Sequence, residues 1–154
     1  MNIVDVQGLR IQGLSVRTCN ADEAQPDCAR IGALWADFTK QTTPHIAQAA
    51  LIYGVYHHYN SDANGAYDFL VGHDAGQFKA TANDPSCTTV DLQAGAYAVF
   101  EARGDRPQSV INAWKRVWAY FAEPNCPHKR FYTTDFERYG LDGTVDIYIA
   151  LAPA

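Results

Sequence analysis

Residues 110–121, Val110-Ile111-Asn112-Ala113-Trp114-Lys115-Arg116-Val117-Trp118-Ala119-Tyr120-Phe121, carry the pattern on which the fold turns. Val110, Trp114, Val117, Trp118 and Phe121 fall on one stripe at helical period, so the segment reads as an amphipathic helix. Gly104-Asp105-Arg106-Pro107 turns the chain into it, and Pro124 to Pro127 stop it. Upstream, Thr88 to Arg103 reads as one long or bent strand, with Gly95 marking a bulge or a close backbone approach. Downstream, Phe131 to Tyr139 and Val145 to Leu151 read as a strand pair turned by Leu141-Asp142-Gly143.

The same order of patterns occurs earlier in the chain. Leu9 to Thr18 shows broken alternation and reads as a strand. Pro26 and Asp27 open a helix whose stripe is Ile31, Leu34, Trp35 and Phe38, and Thr42-Thr43-Pro44 end it. Ile52 to Tyr59 and Tyr67 to Val71 then pair through Asn60 to Gly65, where Asn64-Gly65 suits a positive-φ turn. Asp74 to Ser86, rich in Asp, Gly, Thr, Asn and Pro, reads as a connector. The expected fold is α+β: one domain over residues 1–154, with pseudo-repeat halves of about 1–79 and 80–154. Each half would be a strand-helix-strand-strand module, giving two antiparallel sheets and two main helices around a central ligand groove.

Composition narrows the function. The 154 residues are 47% hydrophobic and 19% charged, with a net charge of −5. That balance suits one packed domain and gives no electrostatic reason to bind phosphates, so direct nucleic-acid binding is not expected. The N-terminal Met1-Asn2-Ile3-Val4-Asp5-Val6 lacks a basic start and a long apolar run, and no segment is long enough to span a membrane. A cytoplasmic protein is expected, with Cys19, Cys28, Cys87 and Cys126 as reduced thiols. No Gly-rich phosphate loop occurs, and none of the four serines sits in G-x-S-x-G, so neither a nucleotide cofactor nor a hydrolase elbow is expected. Cys126-Pro127-His128 lacks a second ligand pair. Adjacent residues of a regular strand point to opposite faces, so His57 and His58 are not expected to share a metal, and no metal or cofactor is assigned.

The informative side chains are aromatic and acidic. Three Trp, nine Tyr and seven Phe concentrate in the helices and strands, while only four glutamates occur. Trp35, Phe38, Phe69 and Phe121 read as core. Tyr53, Tyr56, Tyr97 and Tyr148 lie in strands, and a buried phenol wants a partner, so some must line a surface or cavity. Glu23 in a polar loop and Glu123 at a helix end read as solvated; Glu101 could join Tyr97 on one face or pair with Arg103. Glu137, in Asp135-Phe136-Glu137-Arg138-Tyr139, stands among rings. There it could pair a cationic ligand, act as a general acid or base once desolvated, or simply pair with Arg138 or a lysine.

An ordered set of segments covers nearly the whole chain: Tyr53-Gly54-Val55-Tyr56, YDFLVG ending at Gly72, Leu92 to Gly104, the helix Ala113 to Phe121, DFERYG and DIYIAL. It resembles the effector-binding domain family of AraC-type regulators, also called GyrI-like small-molecule-binding domains. The resemblance implies two facing modules around an aromatic groove. It implies that Glu137 attracts cationic, lipophilic compounds there and that Trp118 forms part of the wall. Trp114, Phe136, Tyr53, Tyr56, Tyr97 and Tyr148 complete the candidate ligand-binding set, with no catalytic residue assigned. Regulators of this family usually carry a helix-turn-helix segment, for which this sequence shows no residues, and Ala119 to Pro124 departs from the usual Leu-Pro-Glu-Ser-type run. The expectation is a stand-alone effector-binding domain, of a kind also encoded by mobile gene cassettes. A homodimer or a separate DNA-binding regulator chain remains open as its partner. The alternatives are a cofactor-free hydrolase of reactive electrophiles, with Glu137 as base and Tyr97 or Tyr53 as donor, and a gyrase-inhibitor-like protein-interaction module.

Overall fold

A computed structural model describes residues 1–46, 51–76 and 87–154. The chain order is β1 (Asn2–Val6), β2 (Arg10–Cys19), α1 (Asn20–Glu23), α2 (Ile31–Ile46), β3 (Ile52–His57), β4 (Ala66–Asp74), β5 (Thr88–Asp91), β6 (Gly95–Ala102), α3 (Gln108–Ala122), β7 (Asp135–Tyr139) and β8 (Val145–Ala150). The α+β class is as expected from the periodicities. The two sheets are not: all eight strands form one antiparallel sheet in the order β1-β6-β8-β7-β3-β4-β2-β5. The blocks β6-β8-β7 and β2-β4-β3 join because their inner edges pair, from Ile52↔Tyr139 to Tyr56↔Asp135. An edge strand presents unpaired N–H and C=O groups, and here each block satisfies the other's.

The long strand expected over Thr88 to Arg103 is also corrected. It is two strands at far-separated positions in the sheet, β5 against β2 and β6 between β1 and β8. Gly95, at φ 142°, takes the chain between them in a conformation that suits glycine. In a flat sheet six strand spacings would put β5 roughly 29 Å from β6. Yet only Leu92, Gln93 and Ala94 separate Asp91 from Gly95, a reach of at most about 14 Å. The sheet therefore curls until its ends approach, and residues from the two sides, Ile11 and Leu92 with Tyr97 and Val99, pack in one cluster.

Curling gives the sheet an inside and an outside. The concave face holds one core: Ile11, Tyr53, Val55, Leu70, Leu92, Tyr97, Val99, Phe136 and Tyr148. The convex face carries both long helices. Leu34 and Phe38 of α2 pack on Leu14, Tyr67, Phe69 and Val71; Ala113 and Val117 of α3 pack on Ala98, Phe100, Ile147 and Ile149. The stripe on α2 is the expected one. On α3, Val117 is central while Trp118 is 45% exposed at the stripe's flank.

Helix ends differ from the sequence reading. Main-chain helix in α2 begins at Ile31 rather than at Pro26, because the Glu23 carboxylate accepts from Arg30 N (3.0 Å) and Ile31 N (3.3 Å) and caps that end. It runs on past Thr42-Thr43-Pro44 to Ile46, a case of propensity yielding to context. Of the connector expected over Asp74 to Ser86, residues 77–86 lie outside the described residues, as does the boundary between halves; Asp74 closes β4. No helix among the described residues is long and apolar enough to cross a membrane.

Candidate functional site

The pairing of β3 with β7 sets the floor of a cavity on the convex side, between α2 and α3. Register puts Gly54 opposite Glu137 and Tyr56 opposite Asp135, so strand alternation aims Tyr56, Asp135, Glu137 and Tyr139 at the helices. Gly54 makes room: a Cβ there would stand 2.8 Å from Phe69 Cζ and 3.3 Å from Glu137 Oε2. Trp114 descends from α3, and Tyr139 packs edge-on against Trp35 of α2 with centroids 4.9 Å apart.

Glu137 is 4% exposed and fully engaged. Its Oε1 accepts from Tyr56 Oη at 2.9 Å and from Trp114 Nε1 at 2.8 Å, and its Oε2 accepts from Tyr139 Oη at 2.5 Å. All three donors are neutral, and among the described residues no lysine, arginine or histidine forms an ion pair with it. Burial, reinforced by the Glu137 charge, pushes the Tyr56 and Tyr139 phenols well above the ordinary tyrosine range, so both remain protonated donors.

Two residues earlier on the same face, Asp135 meets a different environment. It is 0% exposed and accepts from Arg130 (2.6 Å), Tyr59 Oη (2.7 Å) and the Ala150 amide (2.8 Å). One buried carboxylate thus has its cation inside the protein, and the other does not.

The cavity that opens beside Glu137 measures about 250 Å³. Tyr56, Tyr67, Tyr59, Trp114 and Trp118 give it aromatic walls, Ile31, Val110 and Ile111 aliphatic ones, and Asn20, Glu23, Ala63 and Arg130 close the far side. The rings brace one another: Tyr56 lies 4.7 Å from Phe69, 5.0 Å from Trp114 and 5.3 Å from Tyr67. Tyr67 Oη donates to Asn20 Oδ1 at 3.0 Å, and Asn20 Nδ2 to the Ala63 carbonyl at 2.9 Å.

Of the eight candidates, Glu137, Tyr56, Trp114 and Trp118 meet at this cavity. Tyr53, Tyr97, Phe136 and Tyr148 do not; they lie together in the concave core. Phe136 stacks on Tyr148 at 4.5 Å and Tyr97 bonds to the Gln93 carbonyl (2.7 Å) and Thr134 Oγ1 (2.8 Å). The hydrolytic assignment of Tyr97 or Tyr53 as donor beside Glu137 therefore fails on geometry, since both are across the sheet from it. Tyr59, Tyr67, Asn20 and Glu23, which line this cavity, and Tyr139, which bonds to Glu137 beside it, carry no such expectation in the sequence. Tyr139 was legible, being two residues from Glu137 on one strand face. Glu23, read as solvated, is half-buried, caps α2 and accepts from Thr18 Oγ1 at 2.6 Å. Glu101 stays outside, 3.6 Å from Arg103.

His57 and His58 also depart from expectation. β3 ends at His57, and His58 takes φ 48°, so the alternation of a regular strand stops there and the two rings lie with centroids 4.8 Å apart.

With this geometry in view, comparison with known proteins is specific. The family model described as integron-associated effector binding protein matches residues 2–151. The integron cassette protein VCH_CASS2, from the mobile metagenome of Vibrio cholerae, is 40% identical with a TM-score of 0.85, over 98% of this chain and 95% of that one. The Bacillus subtilis protein YobU, which carries a transcriptional-regulator name, is 34% identical over 92% of this chain and 91% of its own. SAV2435, solved bound to tetraphenylphosphonium, shares the fold at a TM-score of 0.71 and 17% identity, over 98% of this chain and 93% of that one.

Proposed function

The chain belongs to the family of integron-associated effector binding proteins, and from that premise we propose that its cavity takes up lipophilic cations, with Glu137 as their counter-charge. The observation that carries this reading is the neutrality of the three donors on Glu137. A buried carboxylate held only by two phenols and an indole keeps its charge uncompensated, and a cation entering between Tyr56, Trp114 and Trp118 would supply the missing partner. The same cation would lie against ring faces, worth about 0.5–2 kcal/mol per contact. The solved complex of SAV2435 with tetraphenylphosphonium supports the ligand class by likeness of fold. We read the groove as lying between two like modules, β2-β4-β3 with α2 and β6-β8-β7 with α3.

Affinity would come mainly from burying apolar ligand surface, and Glu137 would set the charge preference. A matched pair of aromatic ligands, one cationic and one neutral isostere, tests the division. Glu137→Gln is expected to weaken the cation about 10–100-fold, the size of a charged hydrogen-bonded contact, and the neutral compound by less than about threefold. Equal weakening of both, measured by calorimetry, would end the charge role and leave only an apolar pocket.

A further inference from the structure

The concave side of the sheet holds a second cluster, outside the effector cavity and across the sheet from it. Register places His57 of β3 directly opposite Asp68 of β4, and Asp68 opposite Arg17 of β2, so the three side chains share one row on one face. The left-handed backbone at His58 then swings the next ring to the same side instead of the opposite one. One ligand atom from each of His57, His58 and Asp68 lies within 4.8 Å of the others.

We propose that His57, His58 and Asp68 form a binding site for a zinc-class divalent cation. Two imidazoles and a carboxylate, with a position left for water, are a donor set that zinc and its first-row neighbours accept. His58 Nδ1 already stands 3.0 Å from Asp68 Oδ2, close to the ~3.3 Å edge of a tetrahedron built with metal bonds of about 2.0–2.1 Å. The His57 ligand atom lies within 4.8 Å of both, and adjustment of the His58 side chain, which is 75% exposed, would let the three converge on one ion. Arg17 donates to Asp68 Oδ1 at 3.0 Å and to the His58 carbonyl at 3.1 Å, fixing the carboxylate with Oδ2 toward His58, as outer-shell partners do around metal ligands.

A second observation points to an occupant. His57 is 7% exposed, and its Nε2 is buried without a hydrogen-bond partner. Thr133 Oγ1, on the wall of the same concave cavity of about 340 Å³, is likewise buried and unpartnered. Two orphaned polar atoms on residues that line one cavity are costly unless a water or an ion satisfies them. A cation bound by the three side chains, carrying a water toward Thr133, would satisfy both.

The test uses the untagged full chain titrated with Zn²⁺ against a chromogenic chelator, and with Co²⁺ followed by visible absorption. One equivalent is expected to bind, with a cobalt spectrum free of thiolate charge transfer, since no cysteine belongs to the set. His58→Asn keeps a residue that tolerates the left-handed backbone, and Asp68→Asn keeps the shape; each is expected to weaken binding at least tenfold. Both should keep the parent's cooperative thermal unfolding, which shows that they are folded. Absence of stoichiometric binding by the parent chain, or undiminished binding by His58→Asn, would overturn the site. So would a thiolate band in the cobalt spectrum. Glu137→Gln should leave metal binding unchanged, so this proposal and the effector reading can fail separately.

Discussion

Asp135 and Glu137 occupy successive positions on one strand face, and the difference between them is one guanidinium. Arg130 sits 2.6 Å from Asp135, with 5% and 0% of the two side chains exposed. Removing the acid would strand a buried cation, so Asp135→Asn is expected to cost about 3–5 kcal/mol in chemical denaturation. Glu137→Gln should behave otherwise in the ligand-free protein. Its carboxamide oxygen can keep the Tyr56 and Trp114 donors, while the Tyr139 hydroxyl can rotate to accept from the new amide. The stability change is then expected to stay within about 1 kcal/mol. A loss as large as that of Asp135→Asn would show that the Glu137 charge stabilises the empty fold rather than awaiting a ligand.

At the scale of strands and helices, the close approach at Gly54 is the tightest constraint on the cavity floor. A methyl group there must displace the fully buried Phe69 ring and press on Glu137 Oε2. Gly54→Ala is expected to lose about 1–3 kcal/mol of stability by overpacking. It should also weaken the cationic ligand more than the neutral one, both readable in one thermal-shift series. The helices themselves were legible, because Ile31, Leu34, Trp35 and Phe38, and likewise Val110, Trp114 and Val117, repeat at helical period. Their ends were less so: the Glu23 carboxylate that starts α2 reaches it from another element. Part of the site was legible too. Strand period alone sets Phe136 against Glu137 and Tyr53 against Tyr56, so neither pair could share one wall. Which parity faces the helices depends on the curl, and the curl depends on the β3–β7 pairing and the short β5–β6 link. The link itself is local, but the pairings of β3 with β7, β5 with β2 and β6 with β8 join residues far apart in sequence, and no local pattern carries them.

For the whole molecule, the sequence order of elements in the two halves led to two sheets, and the structure has one. The difference lies in a single seam, from Ile52↔Tyr139 to Tyr56↔Asp135. The cavity straddles that seam. Tyr56, Tyr59 and Tyr67 come from the first half of the chain, whereas Trp114, Trp118, Arg130 and Glu137 come from the second. A bound molecule would therefore act as a further rivet across a joint that main-chain hydrogen bonds, the Tyr56–Glu137 and Tyr59–Asp135 hydrogen bonds and ring packing already hold closed. Whenever the joint parts, both halves of the binding surface are lost together, so ligand suppresses that opening by its full binding free energy. At a hundred times Kd this is about 2.7 kcal/mol, roughly a hundredfold slowing. Amide hydrogen exchange at β3 and β7 is expected to slow by that factor on ligand addition if seam opening controls it, while the β1 edge exchanges as before. Uniform slowing throughout the sheet would mean that the two halves separate only when the entire chain unfolds.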